Sequence, residues 1–515
     1  MRRLNKKLNI RFGIILSYLT LIVQLICTLF ISNKVLEFIG DYNYGLYTFV
    51  NSITSWLTIL SAALSASFVR FSTIELNHNG DTSRTNTIYL KLFIIISIFI
   101  LSFGLITISI LYFNNINIGE YSFGESKLMY LIFIISLLNI SISLPTSLFS
   151  LYINFKSEFL FLKILSLILI FLEYAIRFLI AFFTKNIIFL TILSPILTIL
   201  SFVFCWCYST RKLGIKFRNA KLIENKLLIK NILIFSGFLL FNSIVDQINN
   251  SIDKILLGFY STPMDVTLYQ FGQQFSTYLC VMSVSISSVF VPSINDYYIN
   301  NDFESINNIF LNISKTQIII MVFVSFGFLS CGKSFVNWWL GSERIDVYYI
   351  GATLMILNIC PLSINSSIEI QRVQNKHKFR AFSYFMVALL NVILSMLFLF
   401  LFDDEIKIFA CLLGTVISTI ISHWILMNYY NYKVIKLPVN KYLIFLFKYI
   451  FLGLSSSFIV FLFRYFIFNN SHHNYSFMIE GIIFVICFII LMLIFDKKYI
   501  LNILKKFFKK FSSKK

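Results

Sequence analysis

Residues 159–183 read FLFLKILSLILIFLEYAIRFLIAFF. At about 1.5 Å of rise per residue, the run crosses a bilayer core of about 30 Å as one helix. Inside it stand Lys163 and a full acid and a full base, Glu173 and Arg177. A charge facing acyl chains is costly on every insertion scale, so the pair must meet protein, water or each other. Its spacing is i, i+4 with the acid N-terminal, the favoured order on a helix. Two readings stay open on the residues alone. Either Arg177 attracts phosphate oxygens through its planar fork while Glu173 holds it, or the two neutralise each other between packed helices.

The remainder of the chain has the same solvent. Apolar residues make up 58% of the 515 and charged residues 13%, with a mean hydropathy of +0.82. Soluble domains carry about 45–50% apolar and about 25% charged residues. Runs of about 20 apolar residues recur at 12–32, 46–70, 89–112, 127–150, 158–182, 187–208, 230–251, 268–292, 317–340, 348–371, 380–402, 406–428, 442–466 and 477–495. The expectation is an all-α polytopic membrane protein with fourteen transmembrane helices.

The formal net charge is +20. The basic residues collect in short loops between apolar runs, which makes them topology signals and gives no reason to expect nucleic acid as a partner. With the N-terminus in the cytoplasm, about 34 of the 43 Lys and Arg residues fall on the cytoplasmic side, so both termini are expected there. The tail, residues 496–515, alternates apolar and Lys pairs. It is expected to lie as an amphipathic helix on an anionic phospholipid surface.

A constant offset of 222 residues relates the two halves. It lays YGLYTFVNS (44–52) on VTLYQFGQQ (266–274), and HNGDTSRTN (78–86) on NNDFESINN (300–308). Spans one to six thus map onto spans seven to twelve. Six is even, so both halves insert the same way up, as two six-helix bundles related by a pseudo-two-fold along the membrane normal. The domains expected are an N-terminal bundle at 1–210, a basic cytoplasmic linker at 211–229, a C-terminal bundle at 230–432, two additional helices at 433–495, and the tail.

Polar residues fall on faces, as a wet cavity between helices requires. In span seven Asn242, Asp246, Asn249 or Asn250, and Asp253 follow i, i+4, i+7 or i+8, i+11. Span eight has Tyr269, Gln273 and Thr277 on one face. Span ten carries Asn358, Asn365 and Glu369, and span four carries Asn139, Ser143 and Thr146. Asp246 reads either as a structural polar contact or as an ion-coupling site. Arg70, at the end of span two, either snorkels to the interface or meets ligand. The eight cysteines read as small apolar packing residues. His423 reads as a packed polar residue, and the pair His472–His473 is poor evidence for metal. No Gly-rich phosphate loop, G-x-S-x-G or H-E-x-x-H motif occurs, so neither an enzyme nor a cofactor is expected.

Several segments resemble a known family. Residues 15–49 and 61–81 (SAALSASFVRFSTIELNHNGD) resemble the start of bacterial polysaccharide flippases of the O-antigen type. SIDKILLGFYSTPMDVTLYQFGQQF (251–275) resembles their seventh and eighth spans, and residues 370–398 and 412–438 their tenth to twelfth. That family sits in the multidrug/oligosaccharidyl-lipid/polysaccharide exporter superfamily. The resemblance implies two six-helix bundles, often with two extra helices, in a bacterial plasma membrane. It implies alternating-access transport of undecaprenyl-pyrophosphate-linked oligosaccharide for surface polysaccharide biosynthesis. On that reading Arg70, Glu173, Arg177, Asn242, Asn249 and Lys254 are the substrate-binding candidates, and Asp246 and Asp253 the ion-coupling ones. Na+ or H+ and a polysaccharide polymerase are the further partners implied. The spans hold few Arg and Lys residues, which leaves Arg177 a large share of any phosphate binding. The alternative in the same superfamily is an ion-coupled multidrug-type exporter, with an acidic cavity built on Asp246 and Asp253.

Overall fold

The computed structural model describes residues 16, 19–114, 123–218, 225–374, 376, 378–467 and 476–497. Helices α1 (Leu19–Ile39), α2 (Asp41–Thr54) and α3 (Thr58–Asn79) open the chain. They are followed by α4 (Ser83–Phe113), α5 (Phe123–Phe155), α6 (Phe159–Thr184), α7 (Ile187–Arg211) and α8 (Lys226–Tyr260). Next come α9 (Pro263–Ser288), α10 (Val291–Ile299), α11 (Phe303–Leu340), α12 (Asp346–Leu357), α13 (Ile359–Ser363) and α14 (Ser366–Val373). The last are α15 (Lys378–Leu401), α16 (Lys407–Ile435, with π-helical turns), α17 (Val439–Ile467) and α18 (Ser476–Phe495). Among the described residues, 12 helical runs are long and apolar enough to cross a membrane. The other two expected spans take a different form. Span eight is α9, helical but more polar, and span ten is broken into α12, α13 and α14.

The break in span ten has a local cause. Pro361 lacks an N–H and leaves the Leu357 carbonyl without its helical donor. Trp424 Nε1 of α16 donates to that carbonyl instead, at 3.1 Å. Asn358, at the same break, donates to Ser276 Oγ of α9 at 2.8 Å. In α5, Pro145 similarly frees the Ser141 carbonyl, which accepts from Ser97 Oγ of α4 at 2.5 Å. No water reaches the core of a bilayer to satisfy such groups, so a neighbouring helix must.

The chain forms two compact units, Met1–Thr267 and Leu268–Lys515. Helix α8, which carries span seven, belongs to the first and packs there on α3 and α2. Its approach to α2 depends on small residues. A Cβ on Gly258 would stand 2.0 Å from Phe49 Cδ2, and where α2 meets the start of α9, one on Gly45 would stand 1.8 Å from the Pro263 carbonyl oxygen. In α4 the opposite need is visible: Ile95, Phe99, Phe103, Ile106 and Ile110 are exposed at helical spacing, as a lipid-facing stripe requires. At the head of α4, Asp81 accepts from the Thr82 and Ser83 N–H groups at 2.7 and 3.2 Å. Asp302 does the same for α11, accepting from the Ser305 N–H at 3.0 Å. Hydrogen bonds from Ser83 and Ser305 hold these two carboxyls below the usual range.

In the second unit α11 is the axis on which α17 and α18 pack. Ion pairs tie this trio at both ends. At one end Asp496 meets Lys315 of α11 at 2.7 Å and accepts from Tyr449 of α17. At the other end Glu480 of α18 accepts from Ser334 Oγ of α11 at 3.0 Å, and Arg464 Nε of α17 stands 3.8 Å away. Lys315 and Ser334 are about 28 Å apart along α11 at helical rise, close to the hydrocarbon thickness. Residues 498–515 of the amphipathic tail and His472–His473 lie outside the described residues.

Candidate functional site

The Glu173–Arg177 pair forms as the sequence spacing requires. Arg177 Nη2 lies 2.6 Å from Glu173 Oε1, and the side chains are 27% and 33% exposed. One helical turn brings the two groups to the same face of α6, so the pair needs no other element to form. Its surroundings do need the fold. The phenols of Tyr44 and Tyr47 on α2, and of Tyr174, lie within electrostatic range of the guanidinium. Tyr174 Oη and Thr28 Oγ1 of α1 are 2.8 Å apart, which ties α6 to α1. Phe38 meets Phe178 and Phe182 edge-on beside this contact, with ring centroids 6.2 and 5.6 Å apart.

Glu173 also borders an open cavity of about 400 Å³ lined by α5, α6 and α7. Asn139, Ser143, Thr146, Ser147 and Ser150 line it from α5, and Ser194, Thr198 and Ser201 from α7. Leu169, Leu197 and Phe202 supply apolar wall. Thr198 Oγ1 bridges the two polar faces by donating to Asn139 Oδ1 at 2.7 Å. The α5 face is the one read from span four. The α7 face was missed, although Ser194, Thr198 and Ser201 stand at i, i+4 and i+7 in ILSPILTILS, a legible signal.

The other candidates sit on α3 and α8. Arg70 is exposed on α3, with its guanidinium carbon 4.3 Å from the centre of the Phe235 ring of α8. On α8, Asp246 and Asn249 are exposed, Asp253 is buried and Lys254 is half-buried. The polar stripe of span seven is therefore open at its middle and covered at its end. The side chain of Asn242 lies outside the described residues. Gln247, which sequence reading passed over, donates to Ser55 Oγ at 2.5 Å and to Ser251 Oγ at 2.6 Å, fastening α8 to the turn between α2 and α3. The candidates thus fall into two sets, one on α6 and one on α3 and α8.

In the second unit, the polar residues of spans eight and ten form hydrogen bonds within the unit. Asn365 Nδ2 reaches Ser283 Oγ at 3.4 Å, and Gln317 Nε2 donates to Ser283 O and Ser287 Oγ at 3.0 and 2.8 Å. Glu369 pairs with Arg372 on α14 at 2.6 Å. His423 packs on Tyr384, Nδ1 to Oη 3.0 Å.

A family model described as "Polysaccharide biosynthesis protein" matches residues 11–298, more than half of the chain. No curated protein matches by sequence. Among solved structures, lipid II flippase MurJ in an inward closed conformation superposes with a TM-score of 0.73 at 18% identity, over 95% of this chain and 100% of that one. An inward-facing multidrug resistance MATE family transporter of the MOP superfamily gives 0.59 at 14% identity, over 79% and 96%. A MOP superfamily transporter from Pyrococcus furiosus, described as having reverse polarity of its binding pocket, gives 0.51 at 10% identity, over 87% and 96%. At these identities the likeness is one of fold.

Proposed function

The chain belongs to the polysaccharide biosynthesis protein family, and from that premise we propose that it is a flippase. Its cargo is undecaprenyl-pyrophosphate-linked oligosaccharide, moved by alternating access across the bacterial plasma membrane for surface polysaccharide biosynthesis. In this reading the helices make fourteen spans in two related six-helix halves plus α17 and α18, with both termini cytoplasmic. Substrate contacts come from Arg70, Glu173, Arg177, Asn242, Asn249 and Lys254, and ion coupling to Na+ or H+ from Asp246 and Asp253.

One observation carries the reading most directly. A chain this apolar keeps a cavity of about 400 Å³ lined by hydroxyls and a carboxylate, on helices that are otherwise fit for lipid. Groups so costly in hydrocarbon mark a polar path. A pyrophosphate bearing sugars cannot cross acyl chains unaided, whereas a wet cleft can hold the head while the polyprenyl tail stays in lipid. Transport of this kind makes and breaks no covalent bond.

The test is complementation of a strain lacking the gene. Arg177→Ala should abolish surface glycan while the protein remains in the membrane at native level. Unchanged glycan would make the α6 pair purely structural and remove Arg177 from the substrate path.

A further inference from the structure

We propose that the cavity between α5, α6 and α7 is the subsite for the sugar portion of the cargo, and that it accepts hydrogen bonds from hydroxyl and amide N–H groups instead of binding phosphate. This rests on the flippase reading above. The hydrogen-bond inventory carries it. Ser143, Thr146, Ser147 and Ser150 each donate their hydroxyl hydrogen to a carbonyl one turn back in α5, at 2.9, 2.8, 2.7 and 2.8 Å. Thr198 donates its own to Asn139 Oδ1 at 2.7 Å. A hydroxyl that has given up its hydrogen keeps lone pairs, so these oxygens line the cavity as acceptors. Glu173 adds a carboxylate. Arg177 holds its Oε1, and no described residue donates to its Oε2.

Phosphate oxygens are acceptors and anionic. In this cavity they would face a carboxylate and five hydroxyls whose hydrogens are already given, with the Asn139 amide, Ser194 and Ser201 left to donate and no Lys or Arg among the lining residues. A sugar ring presents several O–H donors, and an N-acetylated one adds an N–H. Its C–H face suits the apolar wall, where Phe202 offers a ring. Size agrees as well. The volume of about 400 Å³ lies within the roughly 300–1,000 Å³ of small-ligand sites. From Asn139 to Ser150 the acceptors extend about 16 Å along α5 at helical rise. That is the reach of a saccharide. A single cation needs its oxygens converged to about 2.3–2.6 Å around one point.

The experiment uses the full chain in lipid nanodiscs and two probes, undecaprenyl pyrophosphate and undecaprenyl-pyrophosphoryl N-acetylglucosamine. Thr146→Val together with Ser147→Ala removes two acceptors and retains helix and shape. The native chain should bind the sugar-bearing probe more tightly. The double variant should weaken that probe about tenfold and leave the bare pyrophosphate unchanged, which also shows that the variant is folded. Thr146→Ser with Ser147→Thr keeps both acceptors and should restore native affinity. Equal losses for both probes, or no loss for either, would overturn the subsite while leaving the flippase reading intact. So would Na+ binding that the double variant loses with its sugar preference intact. Binding of neither probe by the native chain would overturn the flippase reading, and the subsite with it.

Discussion

Removing Arg464 should damage the second unit more than removing its partner. Glu480 is 1% exposed and is held by Ser334 Oγ and the Arg464 guanidinium. Arg464→Met leaves that carboxylate buried with no opposite charge, a change that costs about 3–5 kcal/mol in comparable buried pairs. At about 2–4 °C per kcal/mol for a unit of this size, the apparent melting temperature should fall by about 6–20 °C. Glu480→Gln is milder. Glutamine keeps an acceptor for Ser334, and Arg464, whose side chain is 16% exposed, can extend toward the interface. Its cost should be about 1 kcal/mol. The double variant removes both charges and should recover most of the loss, because an ion pair replaced by neutral groups of similar volume is often near neutral. The assay is thermal unfolding of the full chain in detergent, followed by tryptophan fluorescence. Trp338 packs against Phe477 in a tilted contact with ring centroids 5.1 Å apart, at the same end of α18, and reports loss of this contact. A melting temperature unchanged by Arg464→Met, or single-variant losses that simply add in the double variant, would refute the idea that this pair clamps α18 to α17 and α11.

Two further outcomes follow from the packing. Gly258→Ala drives a methyl group into the fully buried Phe49 ring of α2, and the overpacking should cost about 1–3 kcal/mol. The melting temperature should fall accordingly and recover in part with Phe49→Leu; no change would mean that α2 and α8 are not in close approach. Asp496, just beyond α18, tests pH dependence. Burial alone would raise its carboxyl, but hydrogen bonds from Lys315 and Tyr449 and the charges of Lys315 and Lys448 hold it below the usual carboxylate range. A depressed pKa contributes stability that is fully present above the unfolded value, about 3.9, and is lost as pH falls through the folded one. The stability gap between native chain and Asp496→Asn should therefore be flat from neutrality down to about pH 5 and close only in stronger acid. A gap that closes near pH 6 would refute the assignment.

Hydropathy and helical spacing determined much of this protein. The membrane-fit helices follow from burial of apolar side chains in lipid, a property of each segment by itself. The Glu173–Arg177 pair and the polar face of span four follow from 3.6 residues per turn. The Asp81 and Asp302 contacts at the heads of α4 and α11 follow for the same reason: such a carboxylate reaches only N–H groups within a few residues of its own helix start. What only the tertiary structure decided is which faces meet. Lipid is as apolar as leucine, so hydrophobicity does not choose a neighbour for a membrane helix; close packing and interhelical hydrogen bonds do. The Arg464–Glu480 pair, the α5–α7 cavity with its Thr198–Asn139 bridge, and the rescue of the Leu357 and Ser141 carbonyls all join residues distant in the chain. Their geometry is set by how every helix in the unit packs, and no local pattern encodes it.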